Sequence, residues 1–158
     1  KFFENTVAEL INLQGNYSDL KIKRAMSRSR ILSGDVNAAY DPNFSSVYEK
    51  ANSAHMGDGV AIMKYSGSRG KSGTSDANAE FVCEVRRIFN QENVVWQTGE
   101  LGKVDQGGGG TVAYILANYG AEVLDCGVGL LSMHAPYEVA SKADIFEMYR
   151  GYKAFLNK

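Results

Sequence analysis

The stretch AEVLDCGVGLLSMH, residues 121–134, is an apolar run set between two helix-like patterns, and its reading decides the fold. Aliphatic and β-branched residues dominate it, which predicts a strand. Before it, TVAYILANYG (111–120) predicts a helix closed by Gly120 just past its last turn. After it, SKADIFEMYRGYKAFLNK (141–158) predicts a closing amphipathic helix with Ser141 as N-cap.

The same alternation runs back along the chain. In FENTVAELINL (3–13), Phe3, Val7, Leu10, Ile11 and Leu13 fall near helical spacing, and Gly15 and Asn16 stop the helix. YSDLKIKRAMSRS (17–29) predicts a further helical turn or two, and RILSGDVNAAY (30–40) a buried strand running into a loop before Asp41-Pro42-Asn43. GVAIMKYS (59–66) predicts a strand and GSRGKSGTSDANAE (67–80) a polar loop. Asp76 or Ser75 is the expected cap of the helix NAEFVCEVRRIFNQEN, whose Phe81, Val82, Val85, Ile88 and Phe89 form one apolar face. NVVWQTGEL (93–101) predicts a strand leading into a loop. Helices alternating with strands imply an α/β protein, a three-layer α/β/α sandwich with helices on both faces of the sheet.

Composition narrows the function classes. Across 158 residues, 17 Lys and Arg against 18 Asp and Glu leave a net charge of −1, which gives no basis for a nucleic-acid or membrane-surface partner held by bulk charge. The apolar runs are far shorter than a membrane span. Cys83 and Cys126 stand far apart without metal-ligand spacing, so reduced thiols in a cytoplasmic protein are expected. The chain opens on Lys1 followed by Phe2 and Phe3, which reads as a segment of something longer.

Ligands of α/β sheets collect at loops leaving strand ends. Three such loops carry chemistry here. Asp35 follows a strand, where an aspartate is either a turn former or a ligand. GELGKVDQGGGGT puts four consecutive glycines, Gly107–Gly110, before Thr111 and a helix. No GxxxxGK[ST] signature is present, so a phosphate-binding P-loop is not indicated. A tight turn for close packing and a ligand-binding role both remain open. His134 ends the apolar strand 121–134, where it is either a turn residue or a metal ligand. His55, in a glycine-rich loop, reads as surface.

Taken in order, LSGDVNAAYDPNFSSVYEKAN, KYSGSRGKSGTSDANAEF, GELGKVDQGGGGT and DCGVGLLSMHAPYEVASKAD resemble the bacterial branch of the aspartyl aminopeptidase/aminopeptidase I family over almost the whole chain. The resemblance implies a zinc-exopeptidase fold and a peptide substrate. It also implies two divalent metal ions, zinc with cobalt or manganese as alternatives, and a dodecamer-type homo-oligomer. The match to Ser33-Gly34-Asp35 makes Asp35 a ligand of one ion, and Ser132-Met133-His134 makes His134 a ligand of the other. Lys71 and the run Gly108, Gly109, Gly110 and Thr111 fall where the family lines its substrate subsite. Where some members carry histidines between the Asp and the Pro of the first motif, Asn37 and Asp41 stand here.

The family's first histidine, its bridging Asp and its Glu-Glu-(Ile/Val)-Gly motif with the general-base Glu are absent from this sequence. The resemblance places them upstream, together with the dimerisation domain, so residues 1–158 are expected to be the C-terminal segment of the metallopeptidase catalytic domain, with no general base of its own. A neutral or broad N-terminal residue preference is expected ahead of an acidic one, which Arg69, Lys71 and Lys103 would otherwise favour. The alternative is a non-catalytic truncated module acting in binding or assembly.

Overall fold

The computed structural model describes residues 1–69, 72–103 and 105–158, with Ser68 described by its backbone alone. Two helices come first, α1 (Phe2–Leu13) and α2 (Asp19–Ser27), followed by strands β1 (Arg30–Ser33) and β2 (Asn37–Ala38). Two 3-10 turns, Pro42–Val47 and Lys50–Asn52, lead to β3 (Val60–Met63), β4 (Tyr65–Ser68) and β5 (Ser72–Asp76). Then come α3 (Ala79–Gln91), β6 (Trp96–Thr98), α4 (Ala113–Ala117), β7 (Glu122–Leu131), β8 (Val139–Ala140) and α5 (Lys142–Leu156).

The apolar run 121–134 is the axis of the sheet. β7 has ten residues, and all but the first and last are buried. β1 runs parallel to it from Arg30 opposite Glu122 to Ser33 opposite Asp125. β2 takes up the parallel pairing farther along, at Gly129 and Leu130. β3 pairs antiparallel with β7 and parallel with β6, giving the order β1-β7-β3-β6, while β8 folds back antiparallel on the end of β7. β4 and β5 form a separate antiparallel hairpin.

Strand alternation divides the faces. Leu124 and Cys126 of β7 and Val60 and Ile62 of β3 point to one side, where Phe81, Val85, Ile88 and Phe89 of α3 and Ala154 of α5 complete the main core. Val123, Asp125 and Gly127 point to the other side, toward Thr111 and the entry to α4. The α/β expectation therefore holds, with the sheet mixed and α4 reduced to five residues.

Several boundaries differ from the sequence reading, each for a physical reason. The polar stretch 67–80 forms most of the β4–β5 hairpin rather than a loop. Ser72, Gly73 and Thr74 are exposed, so the hairpin carries no apolar alternation to reveal it. The N-cap of α3 is Asn78, whose Oδ1 accepts the Glu80 amide at 3.0 Å. Asp76 instead pairs with Lys64, and Ser75 sits in the ladder opposite Ser66. α1 forms as expected yet buries no residue fully, and Leu13 is 80% exposed. His55 is half-buried beside Tyr40 rather than on the surface, with its amide donating to Gln97 Oε1 at 2.7 Å.

Candidate functional site

β1 ends at Ser33, breaks over Gly34-Asp35-Val36 and resumes as β2. The break passes so close to β7 that a Cβ on Gly127 would stand 1.9 Å from the Asp35 carbonyl oxygen. Glycine at 127 is thus what lets Asp35 lie against the central strand. The Asp35 side chain is half-buried, and its Oδ1 accepts the Val36 amide at 3.0 Å, which fixes the carboxylate at the mouth of the break.

His134 lies just past the end of β7. Ser132 (φ +58°) and His134 (φ +67°) both take left-handed backbone, an uncommon conformation for residues with a Cβ, and so bend the chain sharply. The turn is held by the Ala135 amide donating to Ser132 O at 2.9 Å and by the His134 amide donating to Glu138 Oε1 at 2.5 Å. The imidazole residue is exposed. Asp35 therefore sits in the break between β1 and β2, opposite the middle of β7, and His134 just past the end of β7; segments that leave or interrupt parallel strands are where ligand-binding groups collect. They share no hydrogen bond among the described residues.

The glycine run is packed against the chain's own backbone. Gly107 donates its amide to Lys103 O at 2.8 Å and accepts the Arg69 amide at 2.9 Å. Gly108 has φ +92°, and a Cβ there would meet Gly67 O at 2.7 Å and Leu101 O at 3.0 Å. A Cβ on Gly110 would meet Gly73 O at 3.2 Å. The run is thus threaded between the β4–β5 hairpin and the 100–103 turn, where side chains would not fit. Beside it opens a cavity of about 190 Å³ lined by Tyr65, Ser66, Glu100, Leu101, Lys103 and Gly108, among others. Lys71, expected on this side, lies outside the described residues.

Thr111 ends the run. It is buried, and its hydroxyl donates to Asp125 Oδ2 at 2.6 Å. Burial pushes the Asp125 carboxyl above the ordinary carboxylate range, with the nearby Asp35 charge adding to the rise, while the hydroxyls of Thr111, Ser33 and Ser66 pull it back. Sequence reading passed over Asp125. Its signal was present all the same: an acidic residue inside the otherwise apolar VLDCGVGLL is costly to bury unless hydrogen-bonded partners wait for it.

The donor set can be weighed against a metal. A zinc site takes three or four protein ligands. Among the described residues no group of three or more His, Cys, Asp or Glu side chains is placed to hold a metal ion. Asp35 and His134 are donors of the right chemistry, but the residues present do not complete a site.

The sequence model of the family described as aminopeptidase I zinc metalloprotease (M18) matches residues 1–156. This chain belongs to that family. A probable M18 family aminopeptidase 1 of Clostridium acetobutylicum is 62% identical over 157 residues, covering 99% of this chain and 34% of the relative. The crystal structure of an M18 aminopeptidase from Thermotoga maritima superimposes with a TM-score of 0.92 at 42% identity, covering 98% of this chain and 35% of that one. The dodecamer structure of a Saccharomyces cerevisiae aminopeptidase shares the fold, with a TM-score of 0.69 at 22% identity over 90% of this chain and 30% of that chain. The chain thus spans about a third of the length of the curated relatives it matches. The relatives from Thermotoga neapolitana and Borreliella burgdorferi are likewise named probable M18 family aminopeptidase 1.

Proposed function

We propose that this chain is the C-terminal segment of the catalytic domain of a zinc-dependent M18 aminopeptidase that hydrolyses N-terminal residues from peptides. The observation that carries the reading is Asp35 in the break of the strand beside β7 and His134 just past the end of β7, with too few companions among the described residues to hold an ion. In this reading the two residues serve different ions, and the remaining ligands and the general base lie outside residues 1–158. Asp35 and His134 would each lend one donor to an ion whose other ligands come from elsewhere, and a metal so held would supply Lewis acidity for peptide hydrolysis.

The residues of this chain then bind and orient. The glycine run and the adjacent cavity take the main chain of the peptide, with Gly108–Thr111 on that side, and Lys71, outside the described residues, is assigned to the same subsite by the family resemblance alone. Lys103 lines the cavity together with Glu100, whose opposite charge offsets it there, and this supports a neutral or broad preference over a strictly acidic one. The parent protein is proposed to be cytoplasmic and, by analogy with the yeast dodecamer, a homo-oligomer. Among the described residues no helix is long and apolar enough to cross a membrane.

The test is an assay of aminoacyl-anilide hydrolysis with added Zn²⁺, Co²⁺ or Mn²⁺. The isolated 158-residue chain is expected to be inactive, and the polypeptide that also supplies the Glu-Glu-(Ile/Val)-Gly segment active. Robust turnover by the isolated chain would overturn the placement of the missing ligands. The incomplete donor set also suits a second reading, a non-catalytic peptidase-fold module. Absence of that acidic motif from the parent coding sequence would favour it.

A further inference from the structure

Asp125 is 3% exposed, in the middle of the buried strand β7. Its Oδ2 accepts the Thr111 hydroxyl at 2.6 Å and the Ser66 hydroxyl at 3.3 Å, and those two hydroxyl oxygens stand 3.3 Å apart. Ser33 lies directly across from it in the β1–β7 register, and its hydroxyl also favours the ionised carboxyl. Ser33 Oγ and Asp125 Oδ1 each make no hydrogen bond among the described residues. A buried carboxylate this poorly solvated needs its donors, so the segments that bring them are held to it.

Those segments are the ones that build the site. Ser33 closes β1 two residues before Asp35, Ser66 belongs to the β4–β5 hairpin, and Thr111 ends the glycine run. Four glycines have no side chains of their own with which to hold a position, and glycine backbone is the most costly to order. Apart from its backbone packing, the side-chain anchor of the run among the described residues is at its far end, Thr111 on Asp125.

We propose that Asp125 is the positioning residue of the site: by accepting from Thr111 and Ser66 it fixes the glycine run and the hairpin over the end of β1, and so sets the placement of the substrate main chain without touching substrate or metal. The kinetic consequence rests on the aminopeptidase reading; the consequence for the loop does not.

Two measurements test it. In the full-length enzyme, Asp125→Asn keeps the shape but turns one acceptor into a donor. It is expected to raise KM for an aminoacyl-anilide about tenfold while kcat changes less than about threefold and bound metal is unchanged. By hydrogen exchange, the amides of residues 107–113 are expected to exchange roughly tenfold faster in Asp125→Asn and in Thr111→Val, with β7 amides unaltered. Thr111→Ser, which keeps the hydroxyl, is expected to retain the protection.

The proposal is overturned if the glycine run keeps its protection in both variants. It is equally overturned if protection falls alike across β7, or if the folded Asp125→Asn enzyme keeps its KM. An unsubstituted enzyme that cleaves no aminoacyl-anilide would sink the aminopeptidase reading, and the exchange result would still decide the role of Asp125.

Discussion

At the scale of single residues, position 127 controls where Asp35 can be. The Cβ of an alanine there would overlap the Asp35 carbonyl oxygen, which is backbone and cannot swing aside. Gly127→Ala is therefore expected to cost about 3 kcal/mol, read as a lowered denaturant midpoint at unchanged m-value. Gly34 makes the instructive contrast. A Cβ there meets the Tyr152 hydroxyl at 2.8 Å, the tip of a side chain, so Gly34→Ala should cost only about 1 kcal/mol. That hydroxyl donates to Cys126 O at 2.6 Å, and burial pushes the Tyr152 phenol well above its ordinary range. Equal losses in the two alanine variants would show that backbone approach at Gly127 is not what places Asp35.

Among the elements, α5 is tied to the strand beside it through Glu147. One carboxylate oxygen accepts the Val95 amide at 2.8 Å, just before β6, and both oxygens accept from Arg150, whose other nitrogen donates to Glu92 O at 2.8 Å. Burial alone would push the Glu147 carboxyl up, but the Val95 amide and the Arg150 guanidinium outweigh it and hold the group below its ordinary value. A carboxyl lowered in the fold stabilises it above the unfolded pKa and loses that contribution as pH falls through the folded value. Glu147→Gln should thus cost roughly 1 kcal/mol at neutral pH and flatten the loss of stability between about pH 5 and pH 3. An acid-unfolding slope identical to that of the unsubstituted chain would exclude the tie. The element scale also shows what the sequence could and could not reveal. α3 and α5 were legible because their apolar residues repeat at the helical period, and β7 because it is an almost continuous apolar run buried along its length. β2 and β8, two residues each, exist only through pairing with β7. The β4–β5 hairpin was hidden because it is mostly solvated polar residues and glycine. Of the site, Asp35 and His134 stood out through the residues around them. Asp125 did not, because its role depends on the Thr111 and Ser66 hydroxyls, brought to it from other segments of the chain.

For the molecule as a whole, the unfinished feature is the outer side of β1. This strand ends the sheet order, and among the described residues no strand pairs with its outer edge. Along it runs an apolar groove of about 520 Å³ lined by Phe3, Ile31, Leu32, Leu116, Phe155 and Leu156, with Leu156 79% exposed. An unpaired edge next to contiguous apolar surface favours association over the isolated monomer. In the proposed parent enzyme, more of the catalytic domain would cover this side. The isolated chain has only other copies of itself to cover it, so it is expected to self-associate as concentration rises and to bind a hydrophobic dye. The paired change Phe3→Lys and Leu156→Lys places charge in the groove at two exposed positions. It should therefore weaken both effects and leave the unfolding midpoint of the monomer within about 0.5 kcal/mol of the original. Sedimentation velocity across a concentration series reads this directly. A concentration-independent monomer, with dye binding indifferent to the two lysines, would mean that this face needs no cover, and the reading that more of the catalytic domain packs against it would lose its support.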